Sequence, residues 1–571
     1  MLKVHYRLLV LLIILTVPLI APAQFSVLRL QPYTGPGTFI NQQFSADSAA
    51  NNGIPANRVY ELRRGSLYLA NLGYRVNAGA TMRLRANDST GNKPVIFLYP
   101  TGNPPNPQNP PGNFLDLRGN LEMSNIVLSG YFEAIDTNLN NLQGGLINIP
   151  TAGAGASIRI DSCIISNSNG NHIRTDGATR VIRVTNSIFA NMGYLGRSNL
   201  GAGKAIDLRD ASSDTVIFQN CSFINWQDRV IRHYNFSNPQ AGTGPLRYLL
   251  FDHNTLANGM SYHGLLSLGS MGPRAIISNN LLIDPFSLGN DSDATRQAEF
   301  VNNLEHDSFG GARMTWIFTT PNDTTQWTIR KNYYVVSPEG QAFWDSASVL
   351  PIVANPALTA GSPLTYNINA RLGADSLAAF TKISLTLNEI PALMVKTNKW
   401  YRSPTGGNKT KNTPSAAWNK SFDFDRRGWQ YFHDTLDCAY STGSPAYTAA
   451  DGGYPVGDLN WFPVRYAAWL NDPVNAVPGD DGQPVAFALD QNYPNPFNPA
   501  TTITFTIGKS GFTTLVVYNI LGQKVATPVA GMLSAGTHEV RFNASALASG
   551  MYFYQLASGS SVAVKKMMVL K

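Results

Sequence analysis

Between residues 115 and 336 the chain alternates apolar and polar positions in short bursts, each broken by a polar hinge. Eight segments align without gaps: EMSNIVL, RIDSCII, RVTNSIF, IFQNCSF, LFDHNTL, IISNNLL, EFVNNLE and TIRKNYY. Their anchors are Ile126, Cys163, Ser187, Cys221, Asn254, Asn280, Asn303 and Asn332. Three residues before the anchors stand Met123, Ile160, Val184, Phe218, Phe251, Ile277, Phe300 and Ile329, all apolar. Two residues after them stand Leu128, Ile165, Phe189, Phe223, Leu256, Leu282, Glu305 and Tyr334, of which only Glu305 is charged. These two positions are five residues apart. Inward side chains of one straight strand are an even number apart, so the chain must bend between them. The residue before the anchor is Asn125, Asn186, Asn220, Asn279 or Asn302 in five of the eight. Asn tolerates the left-handed backbone that such a bend requires. Each repeat therefore reads as strand, Asn bend, strand.

A further strand precedes each bend: GLINIP, HIRTDG, AIDLRDA, VIRHYN, LLSLGS and MTWIFTT. Anchor spacing varies from 23 to 37 residues around a constant core, which makes each repeat one turn of a coil with loops of differing length. Three short strands per turn predict a right-handed parallel β-helix. A propeller would keep a more regular period. Stacked coils lie about 4.8 Å apart, so Cys163 and Cys221, two coils apart in one column, exceed the ~7 Å reach of a disulfide. They are expected as packed thiols with Ser187 between them. Repeats with Asn at the tight bend resemble the pectate-lyase-like β-helix superfamily over about residues 60–345. The resemblance implies the fold; no catalytic motif of those lyases is matched residue by residue.

The rest of the chain divides around this solenoid. Residues 24–95 are expected as an N-terminal β cap, 96–345 as the β-helix, 346–470 as an irregular cap over its open end, and 471–485, NDPVNAVPGDDGQPV, as a linker. Residues 486–571 change character: alternating runs TTITFTI, FTTLVVYNI, QKVATPV, THEVRF, GMYFYQL and VAVKKMMVL are separated by short turns. They predict a small Ig-like β-sandwich. The fold class is thus all-β: a parallel β-helix followed by a sandwich.

The sandwich opens on QNYPNPFNPATTITF, continues with VYNILGQKV and LASGMYFYQL, and ends in KKMMVLK. This set resembles the type A C-terminal sorting domain of bacterial type IX secretion cargo. Matching positions are Pro494, Asn495, Pro496 and Phe497 in the opening motif, Gly522 in a hairpin, and Gly550 and Tyr552 in a later strand, with Lys565, Lys566 and Met567 near the terminus. The resemblance implies handling by the type IX machinery, release to the medium or the cell surface, and customary removal of the domain.

Composition agrees with an extracellular destination. Only 14% of the 571 residues are charged, with 49 Gly and 35 Pro, which suits a turn-rich all-β protein and excludes a coiled coil. Residues 1–23 read as a secretory signal: Lys3 and Arg7, then the apolar run from Leu8 to Val17, then Ala21-Pro22-Ala23 before a cleavage expected ahead of Gln24. The apolar run is shorter than the ~20 residues that span a bilayer, and no later stretch is long enough. Net charge is +7, falling to +5 without Lys3 and Arg7, with no basic run, so nucleic acid is not expected as a partner. Three cysteines, Cys163, Cys221 and Cys438, do not make a disulfide framework.

Candidate chemistry lies on the strands that precede the bends. If Ile173, Ile206, Ile231 and Leu266 face inward, Arg174, Asp207, Arg232 and Ser267 form one outward column, and Asp176, Arg209, Tyr234 and Gly269 the next. Arg beside an aromatic suits an acidic polysaccharide, because a guanidinium binds a uronate carboxylate through two hydrogen bonds. That contact acidifies the neighbouring C–H, as β-elimination requires, and a base then takes the proton. Arg232, Arg209 and Lys204 are the candidate catalytic residues; Arg174, Asp176, Asp207 and Tyr234 are candidate substrate contacts. Asp207 or Asp176 offers oxygen ligands for Ca²⁺. The other reading of the same columns is a ladder of alternating charge that keeps the rungs in register. His233 is expected inside by alternation, while His172 and His253 fit local hydrogen-bonding roles. Asn290–Asp293 and Glu305–Asp307 are polar clusters in loops.

Overall fold

The computed structural model describes residues 25–99, 112–130, 145–193, 202–233, 246–285, 325–346, 376–389, 436–472 and 488–570, apart from breaks of one to three residues within these ranges. The signal segment, the repeat around Asn303, MTWIFTT and Tyr234 fall outside them.

Short strands succeed one another in three parallel sheets, visited in turn by the chain. The first sheet has ten strands, from Ser26–Arg29 to Gln326–Arg330. The second also has ten, from Leu67–Ala70 to Phe380–Lys382, and the third has seven, from Tyr74–Val76 to Leu266–Leu268. This is the parallel β-helix that the repeats predict. The register matches the sequence columns residue for residue. Met123, Ile160, Val184, Phe218, Phe251, Ile277 and Ile329 are successive Cα partners in the first sheet. Leu128, Ile165, Phe189, Phe223, Leu256, Leu282 and Tyr334 are successive partners in the second. All of these side chains are buried in one continuous core. Phe223 stacks on Phe189 at 5.3 Å and on Phe251 at 5.8 Å between ring centres, and meets Phe218 edge-on. Such pairs add roughly 0.5–1.5 kcal/mol each to area burial. Ile277 pairs directly with Ile329, so the rungs that the sequence separates by the Asn303 repeat are neighbours.

The bend between the first and second sheets is left-handed in every described repeat. Asn125, Ser162, Asn186, Asn220, His253, Asn279 and Lys331 all have φ between 51° and 59°. A second left-handed column follows at Asn167, Asn191, Asn225, Asn258 and Asp284. It turns the chain from the second sheet toward the third. Its amides form a ladder: Asn225 Nδ2 donates to Asn191 Oδ1 at 3.1 Å, Asn191 Nδ2 to Asn167 Oδ1 at 2.9 Å, and Asn167 Nδ2 to Ser129 Oγ at 3.0 Å. A shorter ladder inside the first bend joins Asn254, Asn280 and Asn332. Cys163 and Cys221 are buried free thiols, with Ser187 Oγ accepting from Cys163 N at 3.0 Å.

The ends differ from the sequence outline. Strands from Arg58 onward, expected in a separate cap, already pair as rungs. The N-terminal opening is covered by helix Ile40–Ala50, whose Ile40 and Phe44 enter the core; Phe44 lies against Tyr60 and Tyr74. The region expected over the other opening has two described parts. Phe380–Lys382 adds the last strand of the second sheet. Residues 436–472 run along the side of the solenoid, where Tyr440, Val456, Leu459, Phe462 and Trp469 cover the outer face of the second sheet at Ala190, Ile224, Ala257 and Leu281. A lateral apolar face, rather than an end, is what this segment buries.

The terminal residues form an antiparallel sandwich of three strands against four. Its core contains Phe497, Phe505, Leu515, Val517, Tyr554, Leu556 and Met567.

Candidate functional site

The third sheet brings the candidate columns together as the alternation predicts: Ile173, Ile206, Ile231 and Leu266 are partners, and Arg174, Asp207, Arg232 and Ser267 lie beside one another. Direction is as expected but exposure is not. The side chains of Lys204, Asp207, Asp228, Arg229 and Arg232 are each at most 4% exposed. Arg232 meets Asp207 at 3.4 Å, Asp228 bridges Lys204 at 2.7 Å and Arg229 at 3.1 Å, and Asn171 donates to Asp207 at 3.0 Å. The expected flat, wet face is therefore an enclosed ion network, because pointing away from a sheet does not ensure contact with water.

Its charges are mutually tuned. Burial pushes the Lys204 ammonium below its ordinary value, against the pull of Asp228 and Asp207. Burial alone would raise the Asp207 carboxyl; Arg232, Lys204, Arg174 and Arg209 outweigh it and hold it low. Arg174 is half-buried and pairs at 2.9 Å with Asp176, just past the end of its strand. Arg209 is half-buried and its backbone N–H donates to Thr175 O at 3.0 Å. These partners do not fit Ca²⁺, because guanidinium and ammonium groups stand where the cation would need further oxygens. Among the described residues no three His, Cys, Asp or Glu side chains cluster in a metal-holding arrangement. His233 and His172 are buried, His172 stacked on Phe189 at 5.8 Å. His253 Nδ1 lies 3.2 Å from Gly457 O.

A different face is open. On the outer side of the first sheet a groove of about 600 Å³ is lined by Arg83, Arg85, Arg159 and Arg183, with Glu122 and Asp161. Arg83, Glu122, Arg159 and Arg183 are partners on four successive rungs. Arg85, Ser124, Asp161 and Thr185 form the adjacent column. Arg83 pairs with Glu122 at 2.9 Å and lies 5.4 Å over the half-exposed Phe25 ring. Asp161 accepts from Thr185 Oγ1 at 2.6 Å and Asn186 Nδ2 at 2.8 Å. The sequence carries a signal for this column: it is the position one residue before each inward Ile160, Val184 or Phe218, the alternation already used for the third sheet.

The terminal sandwich places the motif residues as a clasp. Phe497 is buried, its N–H donates to Met568 O at 3.1 Å, and Leu570 N donates back to Phe497 O at 3.0 Å. Asn495 Oδ1 accepts from Met568 N at 2.8 Å. Pro494 O accepts from Thr501 Oγ1 and Asn492 Nδ2, and the peptide bond before Pro496 is cis. Gly522 turns a hairpin at φ 74°, and Gly550 opens the strand that carries Tyr552. Tyr552 is buried with its hydroxyl on Ala548 O, Met567 lies in the core, and Lys565 and Lys566 are exposed. The opening motif thus holds the last strand.

Residues 491–570 match the family described as a secretion system C-terminal sorting domain. No curated protein matches the chain. The sorting module marks a secreted or cell-surface protein handled by the type IX machinery. No helix among the described residues is long and apolar enough to cross a membrane.

Proposed function

We propose that the exported β-helix holds an acidic polysaccharide along the groove on its first sheet. The observation that supports this reading is the set of four arginines in one groove, Arg83 and Arg85 on one rung and Arg159 and Arg183 on two others, with Glu122 on the rung between. Rungs repeat every ~4.8 Å, comparable to one pyranose unit, so a linear polymer lying across the strands meets a guanidinium on three of these four rungs. A guanidinium can form a two-point contact with a carboxylate or sulfate, which at Arg83 and Arg85 would replace the present partners Glu122 and Glu61. The exposed ring of Phe25 at the groove mouth suits the apolar face of a sugar.

The test is affinity electrophoresis of the full chain in gels containing acidic or neutral polysaccharides. Acidic gels retard the protein, neutral ones do not, and Arg159→Ala/Arg183→Ala abolishes retardation. Equal mobility of the variant and the parent chain overturns the proposal.

A second reading, a polysaccharide lyase with Lys204 as base and Arg232 and Arg209 beside the uronate, is favoured by the lowered Lys204 ammonium, which a proton acceptor requires. Enclosure of Lys204 and Arg232 weighs against polymer access. Ultraviolet absorbance from an unsaturated product, lost in Lys204→Met, would establish that reading; no product from any acidic polysaccharide removes it.

A further inference from the structure

The four-stranded sheet of the terminal sandwich buries one face and turns the other outward. Val517, Tyr554 and Met567 lie in the core, so alternation directs Tyr518, Phe553 and Lys566 away from it. The register sets Lys524, Tyr518, Phe553 and Lys566 side by side, one on each of the four strands. Two aromatic rings are thus bracketed by two lysines across the sheet. Phe553, Met551, Val564 and Val562 are 37%, 41%, 52% and 56% exposed, and Tyr518 OH donates to Gln555 Oε1 at 3.3 Å.

Charge on this face has one sign. The four strands, Gly511–Asn519, Lys524–Leu533, Gly550–Ser558 and Ser561–Val569, contain no Asp or Glu. Residues 486–571 carry Lys509, Lys524, Arg541, Lys565, Lys566 and Lys571 against Asp490 and Glu539, a net +4 of the chain's +7. Neither Lys524 nor Lys566 has an ion-pair partner among the described residues. An exposed apolar strip of this kind marks an interaction surface rather than ordinary solvated sheet.

We propose that this face is where the export machinery grips the module, and that the gripping protein presents an apolar patch bordered by Asp and Glu. The inference rests on the sorting assignment. Two features favour a protein over an anionic lipid surface. The lysines are held apart at a fixed distance, three strand spacings or about 14 Å, which matches fixed carboxylates better than mobile headgroups. The strand Ser561–Val569 is also the edge of its sheet: Gln491, Asn495 and Phe497 hold its second half, and its first half is offered for pairing with a partner's strand in a way that lipid cannot supply.

The experiment is export of the full chain in a bacterium with a type IX system, read as the fraction that reaches the surface or medium. Lys524→Glu/Lys566→Glu is expected to lower export at least about tenfold, because like charges then face the partner. Lys524→Arg/Lys566→Arg keeps normal export. Resistance of the retained Glu variant to protease shows that it folds, and the swap keeps a charge on the edge strand, so solubility is preserved. A photo-crosslinker at position 553 captures a protein of the machinery, and Lys at that protein's facing carboxylates restores export of the Glu variant. Capture of lipid alone, or normal export of the Glu variant while a chain lacking residues 486–571 is retained, overturns the face and leaves the sorting role standing. Normal export of the shortened chain overturns both.

Discussion

The hydroxyl of Ser222 donates to Asp458 Oδ2 at 2.7 Å, joining the second sheet to a segment 236 residues later in the chain. Asp458 also accepts from Asn460 N at 2.9 Å, and its own N–H donates to Thr255 Oγ1 at 2.9 Å. The lateral segment is pinned further by Tyr466 OH on Asn186 Oδ1 at 2.7 Å and by Trp461 Nε1 on Ser222 Oγ at 2.8 Å. One buried carboxylate therefore sits where the segment meets the rungs.

That carboxylate makes docking of the segment depend on pH. Burial pushes Asp458 up to about 7, with the bonds from Ser222 and Asn460 offsetting part of the rise. The titratable groups beside it, Cys221, Cys438 and Tyr466, supply no positive charge. A folded value above the unfolded ~4 means that stability is full below pH 4 and is lost as pH rises through about 7. Amide hydrogen exchange at residues 456–461 is expected to speed up between about pH 4 and 7 beyond its intrinsic pH dependence, and Asp458→Asn removes the excess. Equal pH dependence in the variant would show that Asp458 does not titrate there.

The aromatic pile should be sensitive to a cavity. Phe218 is fully buried between Val184 and Phe251 and touches Phe189 and Phe223. Phe218→Ala is expected to cost about 3–5 kcal/mol, read as a lower urea midpoint, while Phe218→Leu costs less.

The second bend should reject a β-branched residue. Asn191 is buried at φ 54° and both donates and accepts within its ladder. Asn191→Val combines a left-handed strain of about 1–2 kcal/mol with unmet buried amides worth roughly 1–3 kcal/mol. Thermal unfolding should show a large fall in Tm, and Asn191→Gly a smaller one.

The enclosed network should respond unequally to its members. Asp228→Asn takes the carboxylate from Lys204 and Arg229 together, and breaking a buried pair in this way costs about 3–5 kcal/mol. Lys204→Met leaves Asp228 with Arg229 and is expected to cost clearly less. Urea denaturation of both variants reads the difference; equal losses would contradict the shared role of Asp228.

The ladder of Ile160, Val184, Phe218 and Phe251 was legible because a side chain's direction follows from backbone periodicity, and the Asn bends because few residues accept positive φ. The second bend was equally legible in principle: Asn167, Asn191, Asn225 and Asn258 each stand four residues after an anchor. The motif residues around Phe497 were recognisable for a related reason, since one short stretch must clasp the last strand.

Lys204, Asp207 and Arg232 show where such reading stops. Alternation gives the side of the sheet on which a residue stands, and it gave that side correctly; whether water reaches that side depends on segments distant in the chain. The same holds for residues 436–472, whose aromatic turns announce burial but not against what, and for the arginine groove, which exists only because strands from separate coils align. Periodicity is a property of neighbours along the backbone, whereas enclosure and docking are sums over contacts between remote segments, and only the folded chain brings those segments together.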